Sequence, residues 1–192
     1  SSAASDVYKR QIMLMLEEPE IVHELLDFTV CVSAEMFTLL HENGCDIAFP
    51  AEPIGSGSLI SQEMFEEWVI PSLKKLKEKL PFYKYFYAHV CGASGNRVAA
   101  LRECGVNVFS VDYLVDFDKA VEAAGEKMVM MGNINPAGTL LTGTPSEVYK
   151  EACERIKIAN GHSHILAPGC DLGADTPLEN VKMLSKACKD MA

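Results

Sequence analysis

Short apolar runs alternate with helical segments along the chain, and this alternation is the strongest constraint on its fold. Five runs of four to six residues have the composition of buried strands. They are Asp46 to Phe49, Tyr83 to Ala88, Val106 to Val111, Lys127 to Met131, and His164 to Ala167. Regular alternation of strands and helices predicts an α/β fold in which helices cover a parallel sheet.

Two architectures satisfy this pattern, an open doubly wound sheet and a (β/α)8 TIM barrel. A full barrel takes about 250 residues, whereas this chain has 192. A barrel would therefore be partial, and both architectures remain open at this point.

The helices between the strands carry recognisable start signals. The segment Glu20 to Leu40 predicts an amphipathic helix. Its apolar stripe consists of Ile21, Leu25, Phe28, Val32 and Met36. The segments Thr144-Pro145-Ser146-Glu147 and Thr176-Pro177-Leu178-Glu179 both have the capping-box form, and Asp116 is expected to cap a further helix.

The composition excludes several classes of function. The formal net charge of -10 and the pI near 4.9 argue against binding to nucleic acid or to an anionic membrane surface. No apolar run reaches the roughly 18 residues of a membrane span. Seven cysteines form an odd set without the spacing of a disulfide framework, which favours a cytoplasmic protein.

The first eleven residues, Ser1 to Gln11, look foreign to the rest of the chain. We interpret SSAASDVYKRQ as a non-native or assembly-derived leader and exclude it from the fold. The folded part would then be residues 12–192, truncated on its N-terminal side.

Polar residues follow every predicted strand. They are Glu52, His89 with Cys91, Asp112, Asn133 with Asn135, and Cys170 with Asp171. In parallel α/β folds the carboxyl ends of the strands form the active-site face. Hydrogen bonds at loop starts would explain the Asp and Asn positions well, but they explain the two cysteines poorly.

One imidazole and two thiols on that face have the chemistry of a catalytic zinc site. His89 and Cys91 follow one apolar run, and Cys170 follows another. Three nitrogen and sulfur ligands leave a fourth position open, as a catalytic zinc ion requires. A structural zinc would need a fourth protein ligand, and no second short-spaced Cys/His pair is present to supply it.

Five separated motifs resemble the uroporphyrinogen decarboxylase superfamily. They are AEPIGSGSLIS, AHVCGASGN, the step Val111-Asp112-Tyr113, MGNINPAGTLLTGTP, and ILAPGCDLGADTPLENV. The resemblance runs from about Glu18 to the C-terminus. It implies a (β/α)8 barrel of which this chain supplies about the last five β/α units, so that its first and last strands would lack partners.

The superfamily contains two chemistries. Uroporphyrinogen decarboxylases use no metal, whereas a zinc-dependent branch moves a methyl group from a methylated corrinoid protein to a thiol such as coenzyme M. The resemblance to that branch implies one zinc per chain, held by His89, Cys91 and Cys170. The chain has Gly169-Cys170-Asp171 where the decarboxylases usually show Gly-His-Gly, and this difference favours the methyltransferase branch.

Three further residues are expected near the metal. Glu52, Asp112 and Asn133 are predicted to bind the thiol substrate or to orient the zinc ligands, with ordinary loop-start hydrogen bonds as the alternative for each. The partners implied are a corrinoid protein and a small thiol. A metal-free decarboxylase and a non-catalytic fragment remain the alternative functions.

Overall fold

A computed structural model describes residues 2–191 of the chain and the side chains of residues 7–191. It contains eight α-helices: α1 (Ser2–Glu17), α2 (Pro19–Glu42), α3 (Gln62–Met64), α4 (Ile70–Lys79), α5 (Val98–Cys104), α6 (Phe117–Ala124), α7 (Pro145–Ile158) and α8 (Leu178–Met191). The five strands are β1 (Ile47–Ala48), β2 (Tyr85–Val90), β3 (Val108–Val111), β4 (Val129–Ile134) and β5 (His164–Pro168). Two π-helical turns, Phe65–Val69 and Pro136–Leu140, and one 3-10 turn, Gly95–Arg97, complete the elements.

The strand order shows which of the two architectures is present. The strands form one sheet in the order β1-β2-β3-β4-β5, and all neighbours are parallel. A doubly wound sheet reverses its strand order at a switch point, whereas a barrel adds each strand beside the last. The fold is therefore α/β, and it is a partial (β/α)8 barrel of five β/α units with β1 and β5 at its open edges.

Strands β2, β3 and β4 begin two residues later than the hydrophobic pattern predicted, whereas β5 begins at His164 as predicted. Tyr83, Val106 and Met128 are buried but precede β2, β3 and β4. These residues belong to the main hydrophobic core but are not paired with another strand, so they have strand-like composition without strand pairing. One consequence is that His89 and Asn133, predicted to follow strands, lie inside β2 and β4.

The apolar stripe of α2 does not face the core of the described structure. Ile21, Leu25, Phe28, Val32 and Met36 are each at least 50% exposed. The opposite face of α2 carries the buried residues Val30, Ala34 and Phe37 and packs against α4. Helix α2 therefore has two apolar faces, and the sequence pattern had identified the uncovered one.

One of the two predicted capping boxes forms. The Thr144 hydroxyl accepts a hydrogen bond from the N–H of Glu147, and the Glu147 carboxylate accepts one from the N–H of Thr144. Thr176 does not form its box, since its buried hydroxyl has no hydrogen-bond partner among the described residues. Asp116 is at the predicted N-cap of α6 but makes no capping bond, because its carboxylate pairs with Lys119 at 3.0 Å.

The N-terminal segment is helical where it is described. Residues 2–11 lie in α1, and Ser1 is outside the described residues. Further along α1, Met15 is buried and Ile12 packs against the main core. The boundary between a leader and residues 12–192 stays a prediction. None of the helices described in residues 2–191 has both the length and the apolar character needed to cross a membrane.

Candidate metal centre

The three predicted zinc ligands converge at the carboxyl ends of the strands. The Nε2 atom of His89 lies 3.3 Å from the Sγ atom of Cys91 and 3.7 Å from that of Cys170. All three ligand atoms lie within 4.8 Å of one another, and all three residues are half-buried. Among residues 7–191, whose side chains are described, no other group of His, Cys, Asp or Glu clusters in this way.

Curvature of the sheet makes this convergence possible. His89 lies in β2 and Cys91 directly follows it, whereas Cys170 follows β5. Strands β2 and β5 are three positions apart in the sheet, which in a flat sheet would separate them by about 14 Å. The arc of the partial barrel and the inward direction of the side chains close that gap.

The backbone of β3 sets the tautomer of His89. The Nδ1 atom of His89 lies 2.9 Å from the carbonyl oxygen of Ser110 and 3.1 Å from its hydroxyl. Because a carbonyl oxygen only accepts hydrogen bonds, Nδ1 carries the proton and donates it. The unprotonated Nε2 then faces the two thiols with its lone pair available to a metal, as is usual for a metal-ligating histidine.

The geometry of the donor set fits a tetrahedral zinc ion. Zinc–sulfur bonds of about 2.3 Å and zinc–nitrogen bonds of about 2.0 Å place tetrahedral ligand atoms about 3.5 Å apart. The two nitrogen–sulfur distances, 3.3 and 3.7 Å, lie on either side of that value. The three side chains thus match zinc in both ligand type and spacing.

The electrostatics of the site also favour a bound cation. Burial raises the pKa of the Cys91 thiol to about 11, with further contributions from neighbouring acidic groups. These neighbours are Cys170, Asp112 and Asp171. Since every charged group that affects this thiol is acidic, a metal cation is the natural source of the charge that would hold it as a thiolate.

Two glycines allow the ligand loops to approach their neighbours closely. A Cβ atom on Gly169, next to Cys170, would lie 2.4 Å from the backbone nitrogen of Tyr113. Gly92, next to Cys91, has φ +70, and a Cβ atom there would lie 2.4 Å from the Ser56 hydroxyl. Glycine is therefore required directly after Cys91 and directly before Cys170.

The carboxylate of Asp112 is buried and already occupied by backbone amides. One oxygen accepts from the N–H of Gly92 at 2.8 Å, and the other accepts from the N–H of Leu114 at 2.9 Å. Asn133, also buried, donates from its side-chain amide to the carbonyl oxygens of Asp112 and Val115, both at 3.0 Å. These two residues contact the backbone around the metal ligands.

Glu52 is joined to the site through the backbone. Its N–H donates to the carbonyl oxygen of His89 at 2.8 Å. Burial raises the pKa of its carboxyl group, although the N–H groups of Gly55 and Ile54 oppose the shift. The side chain borders an apolar cavity of about 140 Å³ between α1, α2 and the segment from Ile54 to Ser72.

The remaining polar residues at the strand ends have local roles or are exposed. The Asn135 side chain accepts from the N–H of Gly138 at 2.8 Å and starts the turn after β4. Asp171 is exposed. Asn135 therefore makes an ordinary hydrogen bond at the start of a loop.

Two residues at the site were missed by the sequence reasoning. Ser110 is the one polar residue in the fully buried strand β3, and that contrast was a usable signal. Arg97 is completely buried and donates to the carbonyl oxygens of Gly55 and Ile60 and to the Gln62 side chain. It holds the loop after β1, and nothing in its local sequence pattern distinguishes it from a surface arginine.

The chain is similar in sequence to several known proteins. The sequence matches the family profile described as Uroporphyrinogen decarboxylase over residues 2–191. It is 30% identical over 172 residues to a methylcobamide:CoM methyltransferase of Methanosarcina acetivorans, a match that covers 89% of this chain and 50% of that protein. It is 26% identical over 182 residues to a uroporphyrinogen decarboxylase of Prochlorococcus marinus, covering 93% of this chain and 50% of the relative.

A solved structure has the same fold over nearly the whole chain. It is a methyltransferase from Methanosarcina mazei, 27% identical in sequence, with a TM-score of 0.87. The match covers 95% of this chain and 53% of that one. The chain spans about half the length of the curated relatives that it matches.

Proposed function

Because the chain belongs to the uroporphyrinogen decarboxylase family, we propose that it carries the metal centre of a zinc-dependent methyltransferase. The enzyme would move a methyl group from a methylated corrinoid protein to a small thiol. The observation that carries this proposal is the convergence of the His89 nitrogen and the Cys91 and Cys170 sulfurs within 4.8 Å.

Each site residue has a defined part in this reaction. His89, Cys91 and Cys170 would hold one zinc ion, and the Ser110 carbonyl keeps Nε2 of His89 directed at it. When bound, the metal supplies Lewis acidity, which lowers the pKa of a thiol substrate. The thiol would lose its proton to solvent. Its sulfur would then form a bond to the methyl carbon, and the cobalt of the corrinoid would keep the electron pair of the broken cobalt–carbon bond.

The residues around the ligands would bind the substrate and shape the site. Glu52, whose N–H donates to the carbonyl oxygen of His89, would contact the thiol substrate. Asp112 and Asn133 would orient the backbone around the metal ligands. The corrinoid protein would approach this face, since the ligands lie at the carboxyl ends of the strands. All seven cysteines are free thiols, which supports a cytoplasmic location.

Zinc content is the first test. We expect one zinc per chain in the purified protein and loss of the metal in Cys170→Ser. Cys153→Ser is the matched control, because Cys153 is equally half-buried but lies on α7. Zinc would be counted by elemental analysis after gel filtration. A wild-type protein without zinc, or Cys170→Ser with a full complement, would contradict the proposed site.

Methyl transfer is the second test. Incubation with methylcobalamin and coenzyme M should change the cobalt absorption spectrum as the methyl group leaves, and a chelator should stop the change. Zinc binding without methyl transfer would indicate that five β/α units lack residues needed for catalysis.

Uroporphyrinogen decarboxylation is the second candidate function. The similarity to the Prochlorococcus marinus decarboxylase, which covers 93% of the chain, favours it. Conversion of uroporphyrinogen that persists in the presence of a chelator would select the decarboxylase. The Gly169-Cys170-Asp171 step, in place of the Gly-His-Gly usual in the decarboxylases, favours the methyltransferase.

A further inference from the structure

A series of hydrogen bonds crosses the sheet between the two thiol-bearing loops. Gly92, next to Cys91, donates its N–H to the carboxylate of Asp112 at 2.8 Å. The side-chain amide of Asn133 donates to the backbone carbonyl of that same Asp112 at 3.0 Å. On the other side, Gly169, next to Cys170, donates its N–H to the carbonyl of Ile134 at 2.8 Å.

The two side chains in this series extend the connection beyond the sheet ladder. The paired residues of β2 and β3 end at Val90 and Val111, so the ladder leaves Cys91 and Gly92 unpaired. The carboxylate of Asp112 reaches back to Gly92 across this gap. Asn133 then joins the end of β3 to β4, the strand that positions the Cys170 loop.

Burying the carboxylate of Asp112 costs free energy unless hydrogen bonds or a cation offset the loss of water. Its residue surface is 4% exposed, and none of the ion pairs in the described part of the chain involves it. A buried carboxylate without a cationic partner must be stabilised by hydrogen bonds alone. Both of its oxygens accept backbone N–H groups of loops that border the site.

We infer that Asp112 and Asn133 are positioning residues that set the distance between the Cys91 and Cys170 thiols and thereby the affinity of the site for its metal. This inference rests on the proposed function, since it assumes that the two thiols share one metal ion. Neither side chain needs to touch the metal or the substrate. Each acts on the backbone that carries a ligand.

The physical reason is that the ligands belong to separate loops. Cys91 and Cys170 are 79 positions apart in the chain (170 − 91), and each follows a strand end where ladder pairing has stopped. Without a lateral connection, binding the metal would also have to order both loops, and the affinity would fall by that ordering cost. The Asp112 and Asn133 hydrogen bonds order the loops in advance.

Zinc affinity in a competition titration with a chromophoric chelator tests the inference. Asp112→Asn keeps the size of the side chain but replaces one accepting oxygen with an NH2 group, which cannot accept from Gly92 or Leu114. We expect its zinc affinity to fall by about 10- to 100-fold, the usual effect of removing a group that orients a metal ligand. Asp118→Asn, the same change at an exposed position of α6, should bind zinc as the wild type does.

Cobalt substitution separates positioning from general stabilisation. The intensity of the thiolate-to-cobalt charge-transfer band reports how many thiolates bind the metal. We expect a weaker band in Asp112→Asn, because the Cys91 loop no longer holds its thiol in place. A lower melting temperature with unchanged zinc affinity and an unchanged cobalt spectrum would show an ordinary stabilising role and overturn the inference.

A second variant decides the question if Asp112→Asn does not fold. Asn133→Ala removes the connection between β3 and β4 but leaves the carboxylate of Asp112 in place. It should also weaken zinc binding, and wild-type affinity in this variant would overturn the inference. The proposed function fails separately, because a wild-type protein that binds no zinc contradicts the metal centre itself.

Discussion

At the scale of single residues, the candidate metal centre depends on positions that leave no room for a side chain. Gly169 precedes Cys170, and the backbone of Tyr113 lies against it. A backbone neighbour cannot move aside as a flexible side chain can. A methyl group on residue 169 would therefore displace the Cys170 thiol.

We predict that Gly169→Ala weakens zinc binding. The added Cβ would lie 2.4 Å from the nitrogen and 2.9 Å from the Cα atom of Tyr113, so the Cys170 loop has to shift. Zinc affinity, measured by competition titration, should fall by at least about tenfold.

Gly173→Ala is the control for this substitution. It lies in the same loop, and its Cβ would meet nothing closer than 3.8 Å. It should keep wild-type affinity. Equal affinities for Gly169→Ala and Gly173→Ala would contradict the close-approach explanation.

At the scale of secondary structure, the two capping motifs show how far local sequence determines a helix start. Thr144 and Thr176 occur in the same Thr-Pro-x-Glu pattern. Thr144 forms the complete box before α7, whereas the Thr176 hydroxyl is buried without a partner among the described residues. The chain before α8 is the loop that carries Cys170, and the course of that loop determines the orientation of Thr176.

We predict that Thr144→Ala and Thr176→Ala differ in stability. Thr144→Ala removes the acceptor for the Glu147 N–H and should lower the free energy of unfolding by about 1 kcal/mol. Thr176→Ala removes a hydroxyl that makes no hydrogen bond, so its effect should be clearly smaller. Urea unfolding followed by circular dichroism would compare the two, and equal losses would show that Thr176 caps α8 in solution.

At the scale of the whole molecule, the chain is an arc of a barrel with an uncovered apolar surface. Within residues 2–191, strands β1 and β5 have a neighbour on one side only, and Ile47 of β1 is exposed. The exposed stripe of α2 lies on the side opposite its contact with α4. Unpaired strand edges and large apolar patches both favour association.

We predict that the 192-residue chain self-associates through the exposed stripe of α2. Light scattering coupled to gel filtration should give a mass above that of one chain, 21.0 kDa. Leu25→Gln combined with Phe28→Gln should shift the protein toward a monomer, because both side chains are more than half exposed.

The control places two glutamines at polar positions of the same helix. Glu24→Gln combined with Glu35→Gln leaves the apolar stripe unchanged and should keep the wild-type mass. A monomeric wild-type chain would show that the exposed stripe does not drive association.

Much of the fold, and the three side chains that converge at the candidate metal centre, could be predicted from the sequence. Strand and helix alternation is a local pattern, so it indicated the α/β class and five strands. His89, Cys91 and Cys170 were identifiable because thiols and an imidazole at strand ends are unusual there. The starts of β2, β3 and β4 were predicted two residues too early, since residues such as Tyr83 and Val106 are buried without pairing.

The tertiary structure alone decided how these parts come together. Sheet order and curvature bring together the thiols of Cys91 and Cys170, which follow β2 and β5, and the carbonyl of Ser110 selects the tautomer of His89. Periodicity shows that one face of α2 is apolar, but not whether another element covers it. These outcomes depend on contacts between residues far apart in the chain, which a local pattern does not encode.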